Sequence, residues 1–284
     1  MRLSYSNYRN YLSCPRYYKW VTDKKTPPEK DSRYFALYGL LMESFFQTYA
    51  NTYRKTEKEF SQGQIDRILL GKWDQILMKN YVNWSDPWVK ESSQDIFMQA
   101  QNDVAEILTK ENFWRRCRSE VSFSVKLKKS GDELTCRMDF ILDNDDGTHD
   151  ILDGKGTRKM EEAVDFEQLY FYSLIYLLKH RRLPKRVGFL FYKYHLIKHV
   201  DIDMEKVLQF KDKLALVKQA IKKDKEFKPK VKLSKQCKWC KYRFDCDAWV
   251  AKKEENAAKR AGKNKIKVLD DSNGVVDFGA GGLS

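Results

Sequence analysis

The chain has 284 residues, of which 42% are hydrophobic and 14% aromatic, so it is long enough for one large core or a core with a smaller satellite. Its 54 lysines and arginines against 40 aspartates and glutamates give a net charge of +14, which favours an anionic partner, and we expect nucleic acid. No apolar run reaches the roughly 18 residues of a membrane-spanning helix, so no membrane partner is expected.

The cysteines are expected to be thiols or metal ligands. The first 20 residues lack the apolar central stretch of a secretory signal, which predicts a chain that stays in a reducing cytoplasm. Disulfides are rare in that compartment. Six cysteines without disulfides make a metal site the first interpretation to consider.

The first part of the chain is predicted to be helical. Residues 34–53 are apolar nearly all round, which indicates a buried helix, and residues 64–118 indicate further helices with a break near SDPW. Residues 1–20 mix aromatic and basic side chains and indicate the start of a helix. Two prolines and many charges in residues 24–33 predict a loop.

The pattern changes at Glu120, where apolar and polar residues begin to alternate. The alternation predicts a strand over residues 120–127, and polar turn sequences separate it from predicted strands over 134–142 and 150–155. We expect these three strands to form a meander.

Beyond the meander the sequence predicts a helix, a strand and a second helix. The helices are predicted over residues 161–180 and 203–225, and the strand over 186–197, which is rich in aromatic and β-branched residues. Residues 269–284 are glycine-rich with few anchoring side chains, which predicts a disordered tail.

Charged side chains are predicted to meet where two strands run side by side. Asp153 and Lys155 are two residues apart, so on a strand both project from one face, and antiparallel pairing can bring Asp139 across from Asp153. Two neighbouring carboxylates repel unless a cation lies between them, and hard oxygen ligands suit Mg²⁺ or Mn²⁺. Such a cation polarises a phosphodiester, while Lys155 can orient the nucleophile or stabilise the developing charge. The alternative is an ordinary ion pair on a solvated sheet face.

Two polar residues of the next predicted helix are candidates for the same site. Gln168 and Tyr172 are four residues apart and therefore share one helix face. The alternative is that they form only the edge of a core helix.

These residues resemble the motifs of the RecB-like branch of the PD-(D/E)XK nuclease superfamily. The pattern is an aspartate, then D/E-x-K, then Q-x-x-x-Y, and it falls on Asp139, Asp153-Gly154-Lys155, and Gln168 to Tyr172. The resemblance implies an α/β fold, with a mixed central sheet flanked by helices, and a DNA exonuclease that acts on single strands or duplex ends.

The resemblance also implies roles for the individual residues. Asp139 and Asp153 would bind the catalytic metal, with the Gly154 carbonyl as a further ligand. Lys155 would be the catalytic lysine. The glutamine and tyrosine, Gln168 and Tyr172, would brace the site or touch DNA.

One departure from the family pattern concerns the preceding helix. The family usually has G-x-x-x-H, whose histidine completes the metal site, whereas here Glu43 stands four residues after Gly39. A glutamate can bind Mg²⁺ or Mn²⁺ through oxygen, and the alternative is a structural Glu43 paired with a lysine or arginine. Glu120, at the start of the first predicted strand, is a weaker candidate.

Four cysteines have the spacing C-x(n)-C-x2-C-x5-C, namely Cys14, Cys237, Cys240 and Cys246. Four thiolates can hold Zn²⁺ or a [4Fe–4S] cluster, and fortuitous free thiols are the remaining alternative. The other two cysteines, Cys117 and Cys136, are most simply buried apolar residues.

Beside the nuclease motifs, the cysteine set resembles the iron–sulfur members of this branch: the CRISPR-associated spacer-acquisition exonucleases, AddB nuclease domains and related viral exonucleases. The resemblance implies a [4Fe–4S] cluster that staples the two ends of the fold, and recombination or CRISPR-adaptation proteins as partners. It divides the chain into a cluster region (1–33 and 203–250), a nuclease core (34–202), and a basic helix end with a tail (251–284).

Basic residues alternate with aromatics in several runs. This pattern suits DNA with unpaired bases, because the cations can follow the phosphates and the rings can stack on the bases. These runs are PRYYKW, FWRRCR, KHRRLPKR and KWCKYRF. Besides the exonuclease, two readings stay open: a cysteine-clamped nucleic-acid-binding module without catalysis, and a zinc-ribbon regulator.

Overall fold

The computed structural model describes residues 1–26, 34–56, 58–85, 89–110, 113–128, 130–157, 160, 164–231, 237 and 240–272. The chain forms two compact units. The first consists of Met1–Leu12 with Asp31–Glu226, and the second of Ser13–Lys30 with Phe227–Ser284. Among the described helices, none has the length and apolar character needed to cross a membrane.

In its described part, the first unit is built on a mixed sheet of six strands. In chain order they are β1 (Arg2–Leu3), β2 (Cys117–Lys126), β3 (Glu133–Asp143), β4 (His149–Lys155), β5 (Arg186–Phe191) and β6 (Leu196–Val200). The spatial order is β1-β3-β4-β5-β6, and β2 pairs with the other edge of β3. β1 is parallel to β3 and β5 is parallel to β4, while β2–β3, β3–β4 and β5–β6 are antiparallel.

Along one edge, β3 pairs with two different strands in succession. Its end pairs with β4, the last pair being Phe140 with Leu152, and its beginning pairs with β1 through Leu134 and Leu3. Between them, residues 135–139 form no ladder pair on this edge with the strands that the structure describes. The edge of the sheet is therefore open beside Asp139.

Three helices cover one face of the sheet: α3 (Tyr34–Thr56), α4 (Gln62–Lys79) and α5 (Ser93–Lys110). α3 is the centre of this core, because Phe46 stacks on Trp114 with centroids 4.5 Å apart and on Tyr192 at 5.6 Å. The buried helix predicted over residues 34–53 is confirmed.

The other face carries α6 (Phe166–His180), which packs on β2, β3 and β5. The first helix, α1 (Tyr5–Ser13), contacts α6 through Tyr5, whose ring centroid lies 5.8 Å from that of Phe171. α7 (Met204–Lys223) packs on α6, so it lies in the first unit. The division predicted from the sequence instead grouped residues 203–250 with the cysteines. The difference arises because the apolar face of α7 is buried against α6.

The strand predicted over residues 186–197 is a hairpin. β5 ends at Phe191, a 3₁₀ turn covers Tyr192–Tyr194, and β6 returns antiparallel from Leu196. His195 closes the turn with a φ of 49°. Left-handed backbone at a residue other than glycine, asparagine or aspartate gives no turn signal in the sequence.

Other element boundaries also differ from those predicted. The helices expected up to residue 118 end earlier, because β2 begins at Cys117, and α6 begins at Phe166 rather than 161. The predicted loop at 24–33, the break at SDPW and the predicted tail lie mostly outside the described residues. The last helix, α8 (Asp247–Ser272), extends into the part of the chain predicted to be disordered.

The second unit joins α2 (Pro15–Thr22) to the cysteine-rich segment and α8. Tyr242 donates a hydrogen bond to the Lys25 carbonyl at 2.9 Å, and its ring lies edge-on to Trp20 with centroids 5.3 Å apart. Lys25 also forms an ion pair of 2.8 Å with Asp245. These contacts tie the short N-terminal segment of the unit to the long C-terminal one.

Candidate active site

The two aspartates predicted to converge lie side by side at the end of the β3–β4 ladder. The ladder register pairs Phe140 with Leu152, so the next position places Asp139 opposite Asp153. The Gly154 amide, instead of continuing the ladder, donates a hydrogen bond of 2.9 Å to Asp139 Oδ2. The strands separate here, and a carboxylate takes the place of a backbone acceptor.

Lys155 completes the D-x-K motif on the same face of β4. Its ammonium lies 2.5 Å from Asp153 Oδ2 and donates a hydrogen bond of 3.0 Å to Gln168 Oε1. Asp153 is only 2% exposed. The lysine is the contact of Asp153 Oδ2, which accepts no well-aligned hydrogen bond from the described residues.

α6 contributes the two polar residues predicted to share one helix face. Gln168 donates hydrogen bonds to Asp153 Oδ1 at 2.7 Å and to the Tyr172 hydroxyl at 2.9 Å, and this hydroxyl donates to Asp153 Oδ1 at 3.3 Å. The structure therefore brings Asp153, Lys155, Gln168 and Tyr172 into one hydrogen-bonded network.

The surroundings of the two aspartates disfavour their charged forms. Burial, together with the charge of Asp153, raises the pKa of Asp139 to about 8. Burial also raises the pKa of Asp153, although the adjacent Lys155 ammonium acts in the opposite direction. Two neighbouring carboxylates with raised pKa values are groups that a bound cation would stabilise in their charged form.

α3 brings Glu43 to this site through a contact between two glycines. A Cβ on Gly156 would lie 2.7 Å from the Gly39 Cα, so the helix passes directly against the chain that follows β4. Glu43 lies one turn beyond Gly39, and burial, with Glu120 and Asp153 adding to it, raises its pKa. Three acidic side chains, Glu43, Asp139 and Asp153, are therefore close enough to influence one another.

Glu43 is also in contact with an arginine. Its Oε1 lies 3.9 Å from Arg137 Nη2 and accepts a hydrogen bond of 3.2 Å from Gln47. Glu120 accepts a shorter hydrogen bond, 2.7 Å, from the same glutamine and lies 3.1 Å from Arg137 Nε. Both roles considered for Glu43, metal ligand and partner of a basic residue, are compatible with this position.

Gly154 lies against a tyrosine on the face opposite Asp153 and Lys155. A Cβ at this position would lie 2.0 Å from the Tyr192 hydroxyl, so only glycine fits. Tyr192 is fully buried, and its hydroxyl has no hydrogen-bond partner among the described residues. Burial and the charge of Asp139 raise its pKa well above the usual value.

The site opens into a cavity of about 520 Å³ beside the free edge of β3. One wall comes from β2, β3 and α6, and the other from the N-terminal segment. Its lining includes Arg2, Tyr5, Phe123, Arg137, Asp139 and Tyr172. Sequence reasoning missed Arg137, Tyr192 and the N-terminal wall, although the two-residue spacing from Arg137 to Asp139 on a strand was a usable signal.

The acidic residues are the candidate metal ligands of this site. In the described segments, no three His, Cys, Asp or Glu side chains are arranged so that they enclose a metal ion. The chemistry of the acidic residues nevertheless fits Mg²⁺ or Mn²⁺, since the donors are carboxylate oxygens and Asp153 Oδ2 is buried without a well-aligned hydrogen bond.

The four cysteines with ligand spacing all belong to the second unit. Burial raises the pKa of Cys240, and the nearby thiols of Cys14, Cys237 and Cys246 add to the effect. The Cys240 amide also donates a backbone hydrogen bond of 3.3 Å to the Cys237 carbonyl. Thiol donors of this kind suit zinc or an iron–sulfur cluster.

The remaining cysteines belong to the first unit. Cys117 is fully buried, as predicted, whereas Cys136 is only partly buried and lines the cavity.

Comparison with known proteins places this geometry in context. A family profile described as the PD-(D/E)XK nuclease superfamily matches residues 2–247. A search of curated proteins gives no match. Among solved structures, the chain is similar to a "Putative exonuclease" from Eubacterium rectale, at 16% identity with a TM-score of 0.48, covering 78% of this chain and 79% of that one. It is also similar to SSO0001, at 13% identity with a TM-score of 0.36, covering 87% and 86%.

Proposed function

This chain belongs to the PD-(D/E)XK nuclease superfamily, and we propose that it is a metal-dependent DNA exonuclease acting on single strands or duplex ends. The observation that carries the proposal is the network in which Lys155, Gln168 and Tyr172 converge on Asp153. An ordinary ion pair on a solvated surface would not require a buried carboxylate. Here one oxygen of Asp153 accepts a hydrogen bond from the Gln168 side chain, and the other contacts the Lys155 ammonium.

The acidic residues would hold the metal. Asp139 and Asp153 are the first ligands in this proposal, with the Gly154 carbonyl and Glu43 completing the oxygen set for Mg²⁺ or Mn²⁺. When bound, the ion polarises the phosphodiester and makes water more acidic. Burial and the charge of Asp153 raise the pKa of Asp139, so a bound cation would favour the charged form of its carboxylate.

Lys155 acts on the phosphate in this proposal. Its ammonium is fixed between Asp153 and Gln168 at 2.5 and 3.0 Å, so little reorganisation is needed when negative charge develops on the phosphoryl oxygens. Gln168 and Tyr172 position it indirectly, because they occupy Asp153 Oδ1 and leave Oδ2 toward the lysine.

DNA is the proposed substrate because of charge and exposed rings. The net charge of +14 favours a polyanion. Exposed aromatics stand beside cations, as where Arg243 lies 4.5 Å from the ring of Phe244, which is 50% exposed. Cations with stacking surfaces suit unpaired strands. The process served would be recombination, repair, viral DNA processing or CRISPR adaptation, with proteins of those systems as partners.

We further propose that Cys14, Cys237, Cys240 and Cys246 hold a [4Fe–4S] cluster. Its support is that all four thiols lie in one unit and that three of them influence the pKa of the fourth. The cluster would stabilise the fold by joining segments far apart in the chain. Iron and sulfide analysis of the purified protein tests this proposal; stoichiometric zinc without iron would contradict it.

The exonuclease proposal is tested by incubating the purified protein with labelled DNA and Mg²⁺ or Mn²⁺, with EDTA as the control. Linear single strands and duplexes with unpaired ends should be degraded, and a circular single strand of the same sequence should not. Cleavage of the circle would show an endonuclease instead. Binding without cleavage of any substrate would favour the non-catalytic module.

A further inference from the structure

Arg137 shares a face of β3 with Asp139 and opens onto the same cavity. The two residues are two positions apart, so their side chains leave the strand about 6.6 Å from each other. Both residues line the cavity at the open edge of β3.

The guanidinium of Arg137 is held in place by two other elements. Glu120 of β2 lies 3.1 Å from its Nε, and Glu43 of α3 lies 3.9 Å from Nη2. Gln47 donates to both glutamates, at 2.7 and 3.2 Å. The support therefore comes from two elements, β2 and α3, as expected for a side chain that must be pre-positioned.

Glu120 adopts an unusual backbone to make this contact. Its φ is 53°, in the left-handed region that a strand residue other than glycine rarely enters. Strain of this kind persists where surrounding contacts determine the conformation, and it concentrates at functional sites. Here the surrounding contacts are those with Gln47 and Arg137.

The ion pairs leave much of the guanidinium available. The Arg137 side chain is 59% exposed, and a guanidinium has five N–H donors, of which the contact at Nε uses one. Partly exposed ion pairs contribute little to stability. Pairing with Glu120 and Glu43 thus does not explain why an arginine stands at the cavity wall.

The cavity has the size and lining for an unpaired nucleotide. Its volume of about 520 Å³ lies within the range of small-molecule sites and cannot admit a duplex. Arg2 gives a second cation, and Tyr5 and Phe123 give ring surfaces. Hydroxyl groups able to hydrogen-bond a sugar or base complete the lining, from Ser4, Ser6, Ser122, Ser124 and Thr135.

We propose that Arg137 binds the phosphate next to the scissile one and that the cavity holds the unpaired nucleotide attached to it. The inference rests on the proposed function in that its ligand is a DNA strand. It adds to that function a phosphate-binding residue and a requirement for an unpaired nucleotide at the site.

A binding experiment that involves no cleavage tests the phosphate contact. The affinity for a single-stranded oligonucleotide is measured in EDTA over a range of salt concentrations for wild type and Arg137→Gln. The slope of log K against log salt should become shallower by about 0.7, the value for one lost phosphate contact on a single strand. Arg54→Gln is the matched control, because Arg54 of α3 pairs with Asp143 at 3.5 Å and lies outside both the cavity lining and the basic–aromatic runs; its slope should match wild type.

An unchanged slope for Arg137→Gln, in protein that melts like wild type, would overturn the proposal. Wild type that does not bind the strand would also overturn it. A shallower slope with no cleavage by wild type would instead remove the exonuclease assignment and leave the phosphate contact standing.

Arg137→Lys gives a second measurement should the glutamine variant fold poorly. Lysine keeps the charge but loses the planar fork, so the salt slope should stay at the wild-type value while KM for a single-stranded substrate rises about tenfold. Glu120→Gln should raise KM in the same direction by releasing the arginine. A wild-type KM in both variants would overturn the proposal.

Discussion

The Gln168 side-chain amide lies 2.7 Å from Asp153 Oδ1, so a helix residue fixes the orientation of the most buried carboxylate in the site. The same amide group accepts a hydrogen bond from Lys155 through its oxygen, at 3.0 Å. Gln168 therefore sets the relative position of the aspartate and the lysine of the D-x-K motif.

Replacing Gln168 should reduce cleavage without unfolding the protein. We expect Gln168→Ala to lower kcat by about 10–100-fold, the usual effect of losing a group that orients a ligand. The assay is degradation of labelled single strands at equal folded concentration. Gln209→Ala on α7 is the control, since Gln209 makes an exposed hydrogen bond to Glu205; equal losses in both variants would contradict the positioning role.

Cleavage and binding should separate in variants of the acidic residues and the lysine. Asp153→Ala, Asp139→Ala and Lys155→Ala should each lower cleavage by about 10³-fold or more, while DNA binding stays largely intact, because binding is spread over many side chains. Glu43→Ala should be less severe, since Glu43 also contacts Arg137 and Gln47. Undiminished cleavage by Asp153→Ala would remove the nuclease assignment.

A methyl group at Gly154 should destabilise the fold. Because the added Cβ would lie 2.0 Å from the Tyr192 hydroxyl, Gly154→Ala is expected to cost roughly 1–3 kcal/mol in the free energy of unfolding. Urea denaturation measures the change. Tyr192→Phe in the same chain should recover part of it, and Gly63→Ala, which meets no atom within 4 Å, should cause no loss.

Acid should weaken the attachment of α7 to the sheet. Lys222 donates to the buried Asp132 at 2.9 Å and Lys218 pairs with it at 3.0 Å, and mainly the Lys222 contact holds the pKa of Asp132 well below its usual value. A lowered folded-state pKa means that stability is present above about pH 4, the unfolded value, and is lost as the pH falls below it.

Asp132→Asn should therefore lower the melting temperature by a few degrees at pH 7, and its difference from wild type should shrink below about pH 4. Thermal melts over a pH series check this. Asp66→Asn on α4 is the control, because Asp66 accepts a hydrogen bond from Gln62 and has no ion pair with a lysine or arginine among the described residues. A difference that is constant with pH would show that the charge of Asp132 is not what stabilises the contact.

Loss of one proposed cluster ligand should lower iron content and stability together. Cys14→Ser is expected to reduce bound iron and the melting temperature in parallel, because three thiolates hold a cluster less well than four. Cys136→Ser, outside the set, should keep its iron. Full iron content with unchanged melting in Cys14→Ser would contradict the assignment.

The convergence of Asp139, Asp153 and Lys155 could be predicted from the sequence because it follows from local rules. Residues two apart on a strand share a face, and an antiparallel hairpin pairs its strands in register. Gln168 and Tyr172 followed in the same way from helix periodicity.

What the sequence did not reveal depends on contacts between distant residues. β1 is two residues long, too short for a periodic signal, and it pairs with a strand more than 100 residues away. The hairpin at Tyr192 depends on a left-handed His195, and the pairing of Arg137 with Glu120 on a backbone conformation that no local pattern indicates.

Each unit is made of two segments that alternate along the sequence, and this order has a consequence for biosynthesis. Cys14 leaves the ribosome about 220 residues before Cys237, and at about 5–20 residues per second the interval is roughly 10–45 s. The second unit cannot assemble during this interval, because its larger segment has yet to be made. Insertion of the proposed cluster would thus be a late event in the synthesis of the chain, and until then the Cys14 thiol lacks the other three cysteines of the set.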